Sequence, residues 1–148
     1  MRSMKRIGVI IFLLVVLLLV AACQAGPATQ NLSIQMGEGT MIHGLENGEE
    51  ELTGEFHRWE PAVLVVHKGD KVVLTVNNPR GHAHSFILPE FGVATPRLEK
   101  RGGTATVEFT ADKVGVFQFA CGLPYDEAAG NCGLDYKYQV GHLIVLER

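Results

Sequence analysis

The fold of this chain is decided by residues 104–121, which read TATVEFTADKVGVFQFAC. Over residues 104–110, small or apolar side chains alternate with threonine and glutamate, and a second apolar alternation ends at Cys121. Successive side chains of a β-strand point to opposite faces, so this pattern predicts two strands that each bury one face. The chain is therefore expected to be built from half-buried strands.

The same alternation continues on both sides of this stretch. Turn signals such as the Asn-Pro-Arg-Gly run at residues 78–81 separate the apolar segments, and no window shows the apolar period of a long helix. Residues 37–54, with recurring glycines and an acidic run, are predicted to form a solvated loop or a hairpin. Roughly seven to eight strands with little helix predict an all-β Greek-key β-sandwich. The other strands are expected at residues 32–36, 56–59, 62–67, 72–77, 82–88 and 138–147.

The N-terminus has the features of an export signal. Basic residues precede an apolar run over residues 7–22, which leads into Cys23. Such a start is typical of a secretory signal peptide, and the cysteine resembles that of a bacterial lipobox, which receives lipid. The run is slightly shorter than the roughly 17–25 residues that span a bilayer, which favours lipidation over a transmembrane anchor with an incidental cysteine. We therefore expect a lipoprotein signal peptide over residues 1–22, a lipidated tether over residues 23–31 and one domain over residues 32–148.

Charge and cysteine content narrow the functional classes. Without the signal peptide, 10 of the 13 Lys and Arg remain against 16 Asp and Glu, so the mature net charge is −6. This charge opposes nucleic-acid binding, and a lipid on Cys23 would supply the attachment to the membrane. Cys121 and Cys132 are then the remaining thiols, and in an oxidising compartment such a pair is usually bridged or metal-bound. We expect an exported protein that is lipid-anchored to the cell membrane, on its extracytoplasmic face or in the periplasm.

Three segments in a fixed order resemble a known family. His84-Ser85-Phe86 is followed by PEFGV at residues 89–93 and by ADKVGVF at residues 111–117, shortly before a cysteine. In this order they resemble a cupredoxin, most like the copper-binding (CuA) domain of cytochrome c oxidase subunit II, over most of the chain. The resemblance implies a cupredoxin-like fold with a copper site. The ligands that it implies are His84, Cys121 and Cys132.

The ligand segment departs from that family in three places. Residues 122–131 separate the two cysteines, where the family has only three residues between them. Tyr136 stands in the position of the family's second histidine, and Gln139 in that of its methionine. Gln139 remains a candidate ligand, because some mononuclear blue-copper proteins use an axial glutamine oxygen. The resemblance therefore implies copper and leaves open whether the site holds one ion or two.

A further imidazole can be sought by strand parity, because side chains two residues apart on a strand face the same way. If Gln139 faces the site, His142 points away from it. His82 precedes His84 by two residues on the same predicted strand, so it is the better candidate for a further ligand. The alternative for His82 is a solvated turn residue. The other histidines are interpreted as structural or surface residues: His43, His57 and His67.

Three functions are compatible with this pattern, and the sequence leaves them open. The first is a membrane-tethered copper protein that exchanges electrons with a redox partner protein. The second is a metal-free cupredoxin-like binding or assembly module with a Cys121–Cys132 disulfide, which would add roughly 3 kcal/mol of stability. The third is a copper chaperone for an oxidase. No Ser/His/Asp order, paired acids or phosphate-binding loop indicates catalysis, so we do not expect an enzyme.

Overall fold

The computed structural model describes residues 26–44, 51–133 and 136–148 of the chain. The predicted signal peptide and Cys23 lie outside the described residues, so lipidation stays a prediction. In the described part of the chain, no helix is long and apolar enough to cross a membrane.

The described residues form nine strands and two short 3₁₀ helices, Pro89–Phe91 and Tyr136–Tyr138. The strands are β1 (Thr29–Gly44), β2 (Glu51–Glu60), β3 (Val63–His67), β4 (Lys71–Asn78), β5 (Phe86–Leu88), β6 (Val93–Ala94), β7 (Gly103–Thr110), β8 (Gly115–Cys121) and β9 (Val140–Leu146). One sheet has the order β2-β1-β4-β7, and the other has the order β3-β9-β8-β5-β6. The predicted all-β sandwich is confirmed. The additional strand is β6, whose two residues are too few to show an alternation.

Of the two interpretations of residues 37–54, the described residues 37–44 and 51–54 agree with the hairpin. β1 and β2 pair in antiparallel fashion, from Gln35 opposite Glu60 to Gly44 opposite Glu51. The glycines concealed this long pairing in the sequence, because glycine adds no side chain to an alternating pattern and weakens a strand signal.

An apolar core lies between the two sheets. The Phe86 ring packs against Trp59 and Phe119, with centroid distances of 5.5 Å and 5.2 Å respectively. Residues from both sheets complete this buried cluster, which includes neither His84 nor Gln139. Because the apolar core is assembled without these polar side chains, we expect the sandwich to fold without a metal ion.

Strand directions distinguish the two ends of the sandwich. At the end that we call the upper end, β4 finishes at Asn78, β8 finishes at Cys121 and β9 begins at Val140. At the opposite, lower end, β3 finishes at His67 and β4 begins at Lys71. The segments that carry the predicted ligands therefore all reach the upper end.

Candidate metal centre

The four predicted site residues lie on segments that are joined by backbone hydrogen bonds at the upper end. His84 exchanges two such bonds with Leu98, at 3.1 Å and 2.7 Å, just before β5. The N–H of Cys121 donates to the carbonyl oxygen of Gln139 at 3.1 Å. The N–H of Cys132 donates to the carbonyl oxygen of the residue before His84, at 2.9 Å. These bonds bring side chains that are distant in sequence to one place.

The side chains of these residues form a compact cluster. The sulfurs of Cys121 and Cys132 are 2.9 Å apart, and His84 Nδ1 lies 3.9 Å from the first and 3.7 Å from the second. Gln139 Oε1 lies 3.1 Å from His84 Nδ1. The donor atoms of His84 and the two cysteines all lie within 4.8 Å of one another, so one metal ion could be held by all three. His84, Cys132 and Gln139 are buried, whereas Cys121 is half-buried.

The surroundings of Cys121 favour its thiolate. Hydrogen bonding with the Cys132 thiol is the main cause that lowers the pKa of Cys121 to about 4; His84 adds to this shift, and burial opposes it. The thiolate is the form of cysteine that binds metal ions. Cys121 is therefore a thiolate at neutral pH, the form that can bind a metal ion.

His84 turns one ring nitrogen into the cluster and leaves the other without a partner. A carbonyl oxygen can only accept, so the contact with Gln139 Oε1 requires the proton on Nδ1. Nε2 is buried and has no hydrogen-bond partner among the described residues. A proton on Nε2 instead would leave the lone pair of Nδ1 available to a metal ion. In either tautomer, Nε2 has no partner among the described residues, and only the proton position decides whether Nδ1 can bind a metal ion.

These donors fit the copper that the sequence resemblance implies. Imidazole and thiolate are favoured ligands of copper, and an axial glutamine oxygen occurs in place of methionine in some copper sites. The cluster offers one imidazole, two sulfurs and one amide oxygen within short distances of each other.

The long segment between the cysteines is fixed against the sandwich. Arg97 donates to the carbonyl oxygen of Ala129 at 2.9 Å and to the side chain of Asn131. These contacts immediately precede Cys132, whose φ of 42° is unusual for a residue with a side chain. The loop is therefore joined to the sandwich directly before Cys132.

His82 does not occupy the position that strand parity predicted for it. It is exposed, and the metal-binding group found among the described residues does not include it. The predicted strand 82–88 begins only at Phe86, because the residues before it form isolated bridges with other segments. Strand parity therefore does not apply to His82 and His84. For His142, parity predicted the position correctly: the side chain is exposed on β9, between buried neighbours.

The sequence interpretation missed His57, which lies next to the cluster. This residue is only 4% exposed, and its ring centroid lies 5.2 Å from that of His84. A signal for its position was present, because His57 is two residues before the buried Trp59 on β2 and should face inward with it. The interpretation of His57 as a structural or surface residue did not use this parity.

The fold and the cluster define a class of protein, an all-β sandwich with imidazole and thiolate donors gathered at one end. The family is then shown by sequence: residues 10–145 match the model of the cupredoxin-like domain, so the chain belongs to that family. No curated protein matches the chain. The narrower resemblance to oxidase subunit II stays a prediction.

Solved structures with a similar fold include two copper enzymes. One is a multicopper oxidase, mgLAC, with a TM-score of 0.58 and 20% identity, covering 81% of this chain and 39% of that chain. Another is the copper nitrite reductase from Nitrosomonas europaea, with a TM-score of 0.55 and 21% identity, covering 81% of this chain and 42% of that chain. The chain thus spans less than half the length of each, and at these identities the similarity is one of fold.

These structures correct the expectation that the chain is not an enzyme. Both structural neighbours are enzymes, so this fold does not exclude catalysis. The missing hydrolase motifs were an inadequate criterion, because in cofactor enzymes the hard chemistry comes from the cofactor and not from a Ser/His/Asp order.

Proposed function

We propose that this chain is an exported, membrane-tethered copper protein that transfers electrons. Its copper ligands are His84, Cys121 and Cys132, with Gln139 beside them as a weak further ligand. The observation that supports this most strongly is the convergence of the three donor atoms within 4.8 Å in a chain of the cupredoxin-like family.

The residues of the cluster have distinct roles in this proposal. Cys121 and Cys132 donate charge as thiolates, His84 binds through Nδ1, and Gln139 supplies an amide oxygen. Copper held there would supply a one-electron redox couple, and the Gln139 amide oxygen and the surroundings of the sulfurs would tune its potential. Burial and the backbone hydrogen bonds between the segments keep these side chains in place.

The path of the chain supports a tether at the lower end. Thr29 pairs with Lys71, and the N–H of Ala28 donates to the carboxylate of Asp70 at 2.9 Å, so the chain enters the domain there. A lipid on Cys23 would hold the lower end at the membrane. The cluster at the upper end would then face away from the bilayer, towards a redox partner protein or an oxidase. Replacing Cys23 by serine should abolish lipid labelling.

The decisive experiment is a copper titration of the chain from residue 24 onward, with thiols reduced and counted. We expect an intense visible charge-transfer band that saturates with added Cu(II) and is absent in Cys121→Ser. Fully reduced protein that shows no band, and no copper retained after desalting, would refute the proposed site.

One distance favours a second candidate function. The two sulfurs are not joined by a disulfide but lie only 2.9 Å apart, so a shift of about 1 Å would reach the disulfide length of about 2.05 Å. A bridged pair would make the domain a metal-free binding or assembly module. Protein isolated without reductant that has neither free thiol, and that takes up no copper until reduced, would favour this candidate.

A further inference from the structure

Three histidines form a row that leads from solvent to the cluster. His82 is exposed, whereas His57 and His84 are 4% and 0% exposed. The ring centroids of His82 and His57 are 5.5 Å apart, and those of His57 and His84 are 5.2 Å apart. His57 belongs to β2 in one sheet, and the other two precede β5 in the other sheet. The row therefore exists only in the folded chain.

Imidazole is the commonest metal ligand in proteins. The rings of His82 and His57 are nearly perpendicular, at 85°, and their centroids are 5.5 Å apart. With metal–nitrogen bonds of about 2.0–2.1 Å, this centroid distance is compatible with two imidazoles that share one ion.

The outer end of the row lies on a polar surface. Glu38 is opposite His57 in the pairing of β1 with β2, and its carboxylate binds Arg80 Nη1 at 2.6 Å. These side chains and His82 are at least partly exposed. An ion arriving from solvent would therefore meet His82 and its polar neighbours before the buried residues.

We propose that His82 and His57 form an outer copper-binding pair that captures the ion and passes it to His84 and the two cysteines. This proposal rests on the proposed copper site. At each transfer a copper–ligand bond to the inner group forms as a copper–nitrogen bond to the outer imidazole breaks. The oxidation state of the ion is unchanged, each receiving imidazole keeps its proton on the nitrogen that does not bind copper, and the proton displaced from the Cys132 thiol passes to water.

The first test is the rate of copper uptake by the reduced full chain in detergent, followed by stopped flow in the thiolate charge-transfer band. In His82→Gln and His57→Gln, the rate should fall on the order of tenfold while the final band is unchanged. His67→Gln, which changes an exposed histidine at the lower end, serves as the matched control. Unchanged rates in both variants would overturn the proposal, and so would an altered final band in His57→Gln. If His57→Gln does not fold, the rate of copper uptake by His82→Gln, which changes an exposed residue, tests the proposal alone.

The second test removes the thiolates. In the Cys121→Ser, Cys132→Ser double variant, electron paramagnetic resonance after addition of Cu(II) should still show nitrogen-coordinated copper, and adding His82→Gln should abolish it. Failure of the double variant to bind copper would overturn the outer pair. If it binds copper while the wild type shows no thiolate band, the outer pair stands and the proposed electron-transfer site fails.

Discussion

Each end of the sandwich buries a polar cluster, and the two clusters differ in how completely their hydrogen bonds are satisfied. At the lower end, the carboxylate of Asp70 is fully buried. It accepts hydrogen bonds from the Ala28 N–H at 2.9 Å, the His67 N–H at 3.1 Å and Gln30 Nε2 at 3.2 Å, and it is paired with Arg148. The hydrogen bond from Ala28 is the main cause that lowers the pKa of Asp70, and burial opposes it.

At the upper end, the cluster is incomplete. His84 Nε2 is buried and has no hydrogen-bond partner among the described residues. Burying an unsatisfied polar atom costs stability, and proteins keep such costs mainly at functional sites. The comparison therefore indicates that the lower cluster serves the fold, and it supports the proposal that the upper cluster binds a metal ion.

The strongest test of this contrast is His84→Ala. The variant should lose the copper charge-transfer band completely, because the only imidazole in the cluster is removed, while its far-ultraviolet spectrum stays that of a β-protein. His142→Ala, which changes an exposed histidine on β9, should keep the full band. A His84→Ala protein that still binds copper with an unchanged spectrum would show that the upper cluster is not the site.

At the lower end, we expect a substitution to reduce stability and to leave copper binding unchanged. Asp70→Ala removes the buried carboxylate that accepts from the N–H groups of Ala28 and His67 and pairs with Arg148, which should lower the free energy of unfolding by about 3 kcal/mol. Copper binding should be unaffected. Chemical denaturation measures the change, with the exposed Asp112→Ala as control. If Asp70→Ala lowers the free energy of unfolding no more than the control does, the lower cluster does not stabilise the fold.

Acid should weaken the lower cluster. The pKa of Asp70 is lowered in the folded state, so the charged carboxylate stabilises the fold above its ordinary pKa of about 3.9. This contribution is lost as the pH falls from that value through the folded pKa. The free energy of unfolding of the metal-free wild type should therefore fall more steeply below about pH 4 than that of Asp70→Asn. Parallel pH profiles for the two proteins would contradict this account.

The sequence predicted the strands well because alternation is a local property. β4, for example, buries every second residue from Val72 to Asn78, as its pattern indicated. The prediction from alternation failed between His82 and Ser85, because three successive residues there are buried: Ala83, His84 and Ser85. These residues are fixed by bridges to Leu98 and to the cysteine loop, and such long-range bonds have no local signature.

The same limit applies to the candidate site. The sequence order of a known family was sufficient to group His84, Cys121, Cys132 and Gln139, which the structure brings together. The contact of His57 with His84 joins the two sheets. Parity could have placed His57 inward, but not opposite a particular residue of the other sheet.

The smallest effect, and the finest test of the upper cluster, is expected from Gln139→Met. In the metal-free protein, methionine cannot replace the amide oxygen that accepts from His84 Nδ1, so the free energy of unfolding should fall by about 1 kcal/mol. In the copper protein, a soft thioether favours the reduced ion more than an amide oxygen does, so the reduction potential should rise and the band should shift in wavelength without disappearing. A redox titration monitored in the visible band measures the reduction potential and the wavelength of the band. Gln118→Met, at an exposed position on β8, should change neither. If the two variants behave alike, Gln139 only fills space beside His84, and the upper cluster has one fewer ligand than proposed.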